Sequence, residues 1–380
     1  MSSTAKIRLS TAALPAGSLI VVTGASGSMG VYICDQLLQL NYRVRGISRD
    51  AKRTTWLGDL LLERHGAGKF ELAEVPDFTA EGAFDKVLEG AHGVVHTAVD
   101  NSLDLNPDNI IPKMQAATLG IAKAAAKTPT CRRFIYTSSS SAVAEPAPGV
   151  IRELTVDSYN EKTVRAAYSS DLRQDLVGGH TVYAAGKVKT EQALWDWYRG
   201  EAPKLVINTG QWTANSVPVR PSVMPDHVVS VIPSPCYGGI LDPNHQKFSA
   251  ANGMLKMLWE GNDSEEIVKM FEAQWFCDVQ DVSALHVGAL LLPDIASERL
   301  FAYGGKYTVN NLLAAFKALQ PDRKFPNLVK DIQPDLSTVP NGRSADILKS
   351  LGLPGWKSLE DCLRPLVSQF AGSTKRQTLY

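Results

Sequence analysis

The 380-residue chain has few cysteines, no net charge and no long apolar run, and each shortage excludes a class of protein. Its five cysteines, Cys34, Cys131, Cys236, Cys277 and Cys362, stand far apart, with no CxxC spacing and no Cys/His cluster. That pattern argues against a disulfide framework and against a metal site, and leaves reduced thiols placed mostly in the core. The 39 basic and 39 acidic residues cancel, so no global field recruits nucleic acid or an anionic membrane. No stretch of about 18 apolar residues exists to span a bilayer. Met1–Leu14 lacks the apolar run of a signal peptide, and a cytoplasmic protein is expected. Internal repeats and low-complexity linkers are missing too. At 44% apolar and 21% charged residues, the composition is that of a globular chain with room for one large α/β domain and a smaller lobe. Only the polar tail Ser373–Tyr380 reads as frayed.

What is present begins with glycine. The short β-branched run Leu19-Ile20-Val21-Val22 reads as a strand buried on both faces. It runs directly into Thr23-Gly24-Ala25-Ser26-Gly27-Ser28-Met29-Gly30, after which Ile33, Leu37, Leu38 and Leu40 recur at helical spacing. A strand that ends in glycines and feeds a helix leaves the first backbone N–H groups of that helix pointing at one spot, which attracts a pyrophosphate. Gly24 serves the tight turn, Gly27 the close approach of phosphate, and Gly30 the packing of helix on strand. Ser26, Ser28 and Met29 complete the loop.

Further strands follow with helices between them. Tyr42–Arg49 is a second strand, and its end falls where the adenosine ribose of a dinucleotide would sit. An acidic residue there would bond a free 2′-hydroxyl; this chain carries Arg49, with Arg53 four residues on, a pair suited to one helix face and to a 2′-phosphate. NADP(H) is therefore expected over NAD(H), the alternative being a solvated basic helix start. Lys69–Val75 is a third strand. Asp77 and Phe78 beyond it either flank the adenine or form an ordinary turn. Gly93–Ala98 is a fourth strand whose small end, Thr97-Ala98, suits a backbone wall beside the cofactor. His96 within it reads as a satisfied core histidine, with a cofactor contact as the alternative. A long helix spans Ile110–Lys127, and Arg133–Ser138 is a fifth strand. Strand and helix alternating in this order mean a Rossmann-type doubly wound parallel sheet with ligands at the carboxyl ends of the strands.

The fifth strand opens into Ser138-Ser139-Ser140-Ser141, and 44 positions after Ser139 comes Tyr183-Ala184-Ala185-Gly186-Lys187. On a helix Tyr183 and Lys187 lie one turn apart on one face. A cation beside the phenol is expected to lower its pKa from about 10, so that Tyr183 exchanges a proton with a carbonyl or alcohol oxygen. Lys187 would also bond the nicotinamide ribose, and Ser139 would hold the substrate oxygen.

With these residues in view, the chain resembles an extended short-chain dehydrogenase/reductase of the fungal and yeast aldehyde reductase II type, related to dihydroflavonol reductases. The resemblance runs through Thr23–Gly30, Val44–Arg53, Phe134–Ser139, Tyr183–Lys187, Val231–Pro243, Ile347–Gly352 and Pro354-Gly355-Trp356. It implies an NADPH-dependent reductase of aldehydes and ketones with Ser139, Tyr183 and Lys187 as its triad and a small carbonyl compound as partner. Two other readings remain: an NADP-binding epimerase or dehydratase, and a non-catalytic dinucleotide-binding redox sensor. A monomer or weak homodimer is expected. The NADP(H)-binding domain is expected over 1–235. Residues 236–380 would be mainly a substrate-binding lobe, with late segments returning to the first domain and Pro233 beside the nicotinamide.

Three departures from that family stand out. Gly120 occupies a helix position where relatives carry Asn, which removes any proton relay through that side chain. Gly186 replaces a Ser or Thr inside the catalytic helix, at a cost of about 1 kcal/mol relative to alanine and with a looser helix expected. Two runs, Leu205–Ile207 and Val228–Ile232, compete for the sixth strand. The second is preferred because Pro233–Gly238 continues it, so residues 204–225 read as an insert. This insert is either a lid over the substrate, with Trp212 as its contact, or a disordered or wrongly retained segment. Farther on, Ala250–Trp259 reads as an amphipathic helix, and a strand near Trp275-Phe276 precedes a helix over Val282–Leu292. Trp275 and Phe276 either line the pocket or belong to the core; Trp356 is taken as structural.

Overall fold

A computed structural model describes residues 6–201, 227–261, 268 and 271–372 of the protein. Along the chain it has β1 (Leu19–Thr23), α1 (Ser28–Gln39), β2 (Arg43–Ser48), α2 (Thr55–His65), β3 (Phe70–Glu74), β4 (Ala91–His96), α3 (Pro107–Lys127) and β5 (Arg133–Thr137). Next come β6 (Ile151–Glu153), α4 (Glu161–Ala167), α5 (Leu176–Glu201), β7 (His227–Pro233), β8 (Cys236–Tyr237), α6 (Ala250–Trp259), β9 (Gln274–Asp278) and α7 (Val279–Leu291). The described part closes with β10 (Arg299–Ala302), β11 (Gly305–Tyr307), α8 (Val309–Leu319), β12 (Leu336–Thr338), α9 (Gly342–Ser350) and α10 (Leu359–Gly372).

Seven strands form one parallel sheet in the order β10-β7-β5-β4-β1-β2-β3. The strand order reverses between β1 and β4, the switch point at whose carboxyl edge sheets of this kind hold their ligands. Every residue of β1 and β5 is buried, as expected for strands covered on both faces. Helix α7 is buried along all thirteen residues, because it lies between the sheet and helices α1 and α9. A helix so enclosed has no solvated face, and its buried polar side chains bond internally, Ser283 to Val279 O at 2.7 Å and His286 to Val282 O at 2.8 Å.

Capping sets several of these boundaries. Asn106 accepts from the Asp108 amide, with Pro107 in the first turn, and so starts α3 three residues before the periodicity at Ile110. Asp278 accepts from the Gln280 and Asp281 amides and starts α7 at Val279 rather than Val282. The fourth strand ends at His96, which leaves Thr97 and Ala98 in the loop beyond it. Val228–Ile232 is indeed a sheet strand, within β7. The strand β10, drawn from far along the chain, was not anticipated. Leu205–Ile207, the whole 204–225 insert with Trp212, and the tail 373–380 lie outside the described residues.

The smaller lobe gathers a three-stranded sheet, β11-β9-β8, and helices α6, α8 and α10 around Tyr237, Trp259, Phe276, Phe316 and Phe370. Phe276 is thus core. Trp275 donates its indole N–H to Ser337 Oγ at 3.0 Å and lies beneath Lys306, a structural bridge to the short β6–β12 pair. Trp356 packs on the main core and is half-buried. No helix among the described residues is long and apolar enough to cross a membrane.

Candidate active site

The glycine loop is built to admit something beside backbone. Gly24 has φ +66°, and a Cβ there would stand 2.6 Å from Thr97 Oγ1. A Cβ on Gly30 would overlap the carbonyl oxygen of Gly24. Only glycine lets the β1–α1 turn close this tightly against the β4 loop. Gly27 stands at the N-cap of α1 and supplies no capping side chain, so the first-turn N–H groups are left for an anion. Ser26, Ser28 and Met29 are half-buried around it. The cradle fits a dinucleotide pyrophosphate.

Thr23 ties the two loops together. Thr97 Oγ1 donates to Thr23 O at 2.7 Å, and the Ala98 amide donates to Thr23 Oγ1 at 3.2 Å. His96 is bonded on both ring nitrogens, to Thr23 Oγ1 at 2.8 Å and to Thr118 Oγ1 at 3.2 Å. Burial, with help from the Lys187 charge, pushes its pKa down to about 3. It is a satisfied neutral core histidine that holds Thr23.

At the ribose end the geometry differs from the expectation. Arg49 and Arg53 do not share an α-helix: β2 stops at Ser48, Arg49 sits in a bend, and Arg53 lies in a 3-10 turn, Lys52–Thr54, ahead of α2. Asp50 accepts from the Arg53 amide at 3.2 Å and Glu74 from the Ala51 amide at 2.8 Å, so both nearby carboxylates are occupied with this turn's backbone. Among the described residues neither guanidinium is engaged in an ion pair, and both arginines are exposed. Asp77 makes a turn with Thr79, accepting from its amide at 2.8 Å and its hydroxyl at 2.6 Å. The Thr79 hydroxyl is the main reason the Asp77 pKa is lowered. The turn uses one carboxylate oxygen, Oδ1. Phe78 is half-buried, edge-on to Phe84. A side chain on Gly120 would grow onto the Phe84 ring and the Phe78 carbonyl, so that position belongs to the surroundings of Phe78.

The serines after β5 and the middle of α5 meet at the same sheet edge. Ser139 donates to Ser141 Oγ at 3.2 Å and accepts from the Ser141 amide at the same distance, and its hydroxyl lies within electrostatic reach of the Tyr183 phenol. Lys187 is buried; its Nζ donates to Thr137 O at 2.8 Å and stands 6.0 Å from the centre of the Tyr183 ring. The expected lowering of the phenol pKa does not occur. Burial pushes Tyr183 up to about 12, with the neighbouring Ser139 hydroxyl opposing. Burial also pushes Lys187 down to about 7, against the opposing pull of Glu191. Taking a charge out of water costs more than one neighbour at this distance returns. Nor is α5 loose at Gly186. A Cβ there would stand 2.5 Å from Met114 Sδ, so the glycine lets α3 press closely on α5.

The pattern of the NAD dependent epimerase/dehydratase family matches residues 20–201. Over 364 residues the chain is 33% identical to aldehyde reductase 2 of Sporidiobolus salmonicolor, covering 95% of this chain and 98% of that one. The chain belongs to the NAD dependent epimerase/dehydratase family of extended short-chain dehydrogenases/reductases. This extended short-chain enzyme chain is also 31% identical over 359 residues to the ketoreductase adrE of Penicillium rubens, covering 91% and 95% of the two chains. Yeast methylglyoxal/isovaleraldehyde reductase Gre2, solved with NADPH, has the same fold at a TM-score of 0.72 and 20% identity, over 93% of this chain and 98% of that one.

Several supporting residues of this extended short-chain site escaped sequence reasoning. Glu191, fully buried, accepts from Ser138 Oγ at 2.7 Å and takes Arg299 in a double contact of 3.0 and 3.1 Å. Its position one turn beyond Lys187 was the available signal, since 183, 187 and 191 fall on one helical face. Arg299 gave none. It arrives from β10, donates to Ser158 O at 3.0 Å and stacks on Tyr159. His286 on α7 donates from Nδ1 to Val282 O at 2.8 Å, so its Nε2 accepts from Thr137 Oγ1 at 2.8 Å. These bonds hold the residue whose carbonyl receives Lys187.

Proposed function

We propose that the protein is an NADPH-dependent reductase converting an aldehyde or ketone to an alcohol. In this reading Tyr183 is the proton donor and Ser139 and Lys187 assist. The observation that carries it is the convergence of Ser139, Tyr183 and Lys187 at the sheet edge that also bears the glycine loop. Bound NADPH would supply hydride to the carbonyl carbon, and the residues of the chain manage the oxygen. Ser139 orients that oxygen by a hydrogen bond. Tyr183, with its phenol held near 12, keeps its proton at neutral pH and is ready to give it up. Lys187 fixes the nicotinamide ribose and, when charged, stabilises the phenolate left behind.

Gly24, Ser26, Gly27, Ser28, Met29 and Gly30 would hold the pyrophosphate, and Arg49 and Arg53 the 2′-phosphate. Asp77 and Phe78 would flank the adenine, Thr97 and Ala98 form a wall, and Pro233 lie beside the nicotinamide. Residues 1–235 supply the NADP(H) site and 236–380 mainly the substrate lobe. The reductase names of the two relatives support this reading. Arg49 and Arg53, exposed and without ion pairs among the described residues, favour an exchangeable NADP(H) over the retained cofactor of an epimerase. A non-catalytic sensor has no need of a buried lysine beside a tyrosine. A monomer or weak homodimer acting in the cytoplasm completes the proposal, checked by sedimentation and cell fractionation.

The test is NADPH oxidation against aryl aldehydes, α-haloketones and β-ketoesters, with NADH and Tyr183→Phe in parallel. Turnover is expected with NADPH and expected to fall about 100-fold or more in the variant. NADPH binding with no turnover across the panel would overturn the reading in favour of the sensor.

A further inference from the structure

Two of the five cysteines, 41 positions apart, meet beside the site. Cys236 and Cys277 are register partners on the parallel strands β8 and β9, and their sulfurs are 3.4 Å apart. Both thiols turn toward one acceptor, Ser234 O, at 3.4 and 3.2 Å, so the two side chains lie on the same side of the strand pair. Adjacent strands run about 4.8 Å apart, within the Cα separation that a disulfide spans. The bond itself requires the sulfurs to close by roughly 1.4 Å, to about 2.05 Å, a movement that two side-chain rotations share. The pair is reduced here. Cys236 is partly exposed, whereas Cys277 is fully buried. Cys34 and Cys131 are buried in other parts of the core, and Cys362 is buried on α10 in the smaller lobe.

We infer that Cys236 and Cys277 are a site of reversible disulfide formation by peroxide, and that the bridge slows the reductase by drawing β8 toward β9 and shifting the 233–235 segment that leads into it. Peroxide reaches Cys236 first, because it is the partly exposed thiol of the two. The Cys236 sulfur attacks one peroxide oxygen, the O–O bond breaks, and one water leaves with a sulfenic acid on Cys236. The Cys277 sulfur then attacks that sulfur, the S–O bond breaks, and the hydroxyl leaves as a second water with the Cys277 proton. Two thiols are oxidised and one peroxide is reduced. The bridge forms where Pro233–Pro235 leads from the sheet into the smaller lobe, the segment that the proposed function places beside the nicotinamide. β8 is already paired with β9, so the bond acts by drawing Cys236 toward Cys277 and displacing the 233–235 segment from its place beside bound cofactor.

The test treats the purified full-length chain with hydrogen peroxide and reads intact mass, peptide map and turnover. A mass loss of about 2 Da is expected, with peptides carrying Cys236 and Cys277 cross-linked, and turnover at least about threefold lower until a dithiol restores it. Cys277→Ser and Cys236→Ala, each compared with its own untreated sample, should show no cross-link and no dithiol-reversible loss. Stepwise oxygen addition at Cys236 of the parent chain, without a cross-link, overturns the site. A cross-link that leaves turnover unchanged overturns its effect on the loop. The mass readout does not depend on any substrate, so failure here is distinct from failure of the reductase reading.

Discussion

Replacing Lys187 by methionine should abolish turnover and, at the same time, change the pH dependence of stability in a way the structure specifies. Lys187 is buried, and its pKa is pushed from 10.5 to about 7. Above pH 7 the folded chain has therefore released a proton that the unfolded chain keeps, and stability rises with pH. The burial penalty is fully present below about pH 7 and fades as pH climbs toward 10.5. Between about pH 7 and pH 8.5 the gain amounts to about 1.5 kcal/mol, because the slope of 1.36 kcal/mol per pH unit develops only as the folded lysine discharges. Asp281, pushed up by burial to about 7, loses its proton at the start of the window, the histidines His96 and His286, held near 3 and 4, are nearly done by pH 7, and the buried thiols of Cys34 and Cys131 begin near its top; all are common to parent and variant and cancel in the comparison. Urea unfolding of both proteins without cofactor at the two pH values is the assay. The parent should gain about 1.5 kcal/mol relative to Lys187→Met on going to the higher pH. Parallel pH dependences in the two proteins would refute the assignment of a depressed pKa to this lysine, and with it the account of Lys187 as a part-time cation.

Glu191→Ala strips Arg299 of its buried partner and should cost about 3–5 kcal/mol, read as a lower urea midpoint. Gly30→Ala forces the β1–α1 turn open, because the added methyl overlaps Gly24 O. NADPH affinity, measured by nucleotide fluorescence, should fall at least about tenfold, or about 1.4 kcal/mol. With Arg49 and Arg53 both changed to alanine, the KM for NADPH should rise about 10–100-fold, as the loss of charge-assisted bonds worth about 1.5–3 kcal/mol requires. The KM for NADH should stay put; an equal rise for both nucleotides would show that the arginines support the fold and do not read the phosphate.

The elements legible in the sequence were those with a local cause. A β-branched run ending in glycines made β1, the Gly24–Gly30 cradle and the α1 entry visible, since turn geometry and helix packing act between near neighbours. The Tyr183–Lys187 pair was visible because four residues are one helical turn, and Ser139 because it follows a strand end. The alternation of strand and helix named the doubly wound sheet. Where the local rule was applied too literally it failed, as with Arg49 and Arg53, which a strand end and a 3-10 turn present in place of a helix face.

What the sequence determined, then, is which residues stand at strand ends and on one helix turn; what they become there was decided only by tertiary structure. Tyr183 and Lys187 were read as a cation lowering a phenol pKa, but desolvation depends on everything packed around a group and no spacing encodes it. Burial outweighed the pair and moved both pKa values the opposite way from mutual support. Gly186 was read as a weakness of α5, and contact with Met114 of α3 makes it a fitting surface. Glu191 with Arg299, His286 with Thr137, and Cys236 with Cys277 are partners 108, 149 and 41 residues apart. Only the closing of a seven-strand sheet and its attached lobe brings such distant side chains within bonding distance, because strand order and register, set by burial over the whole domain, decide who faces whom.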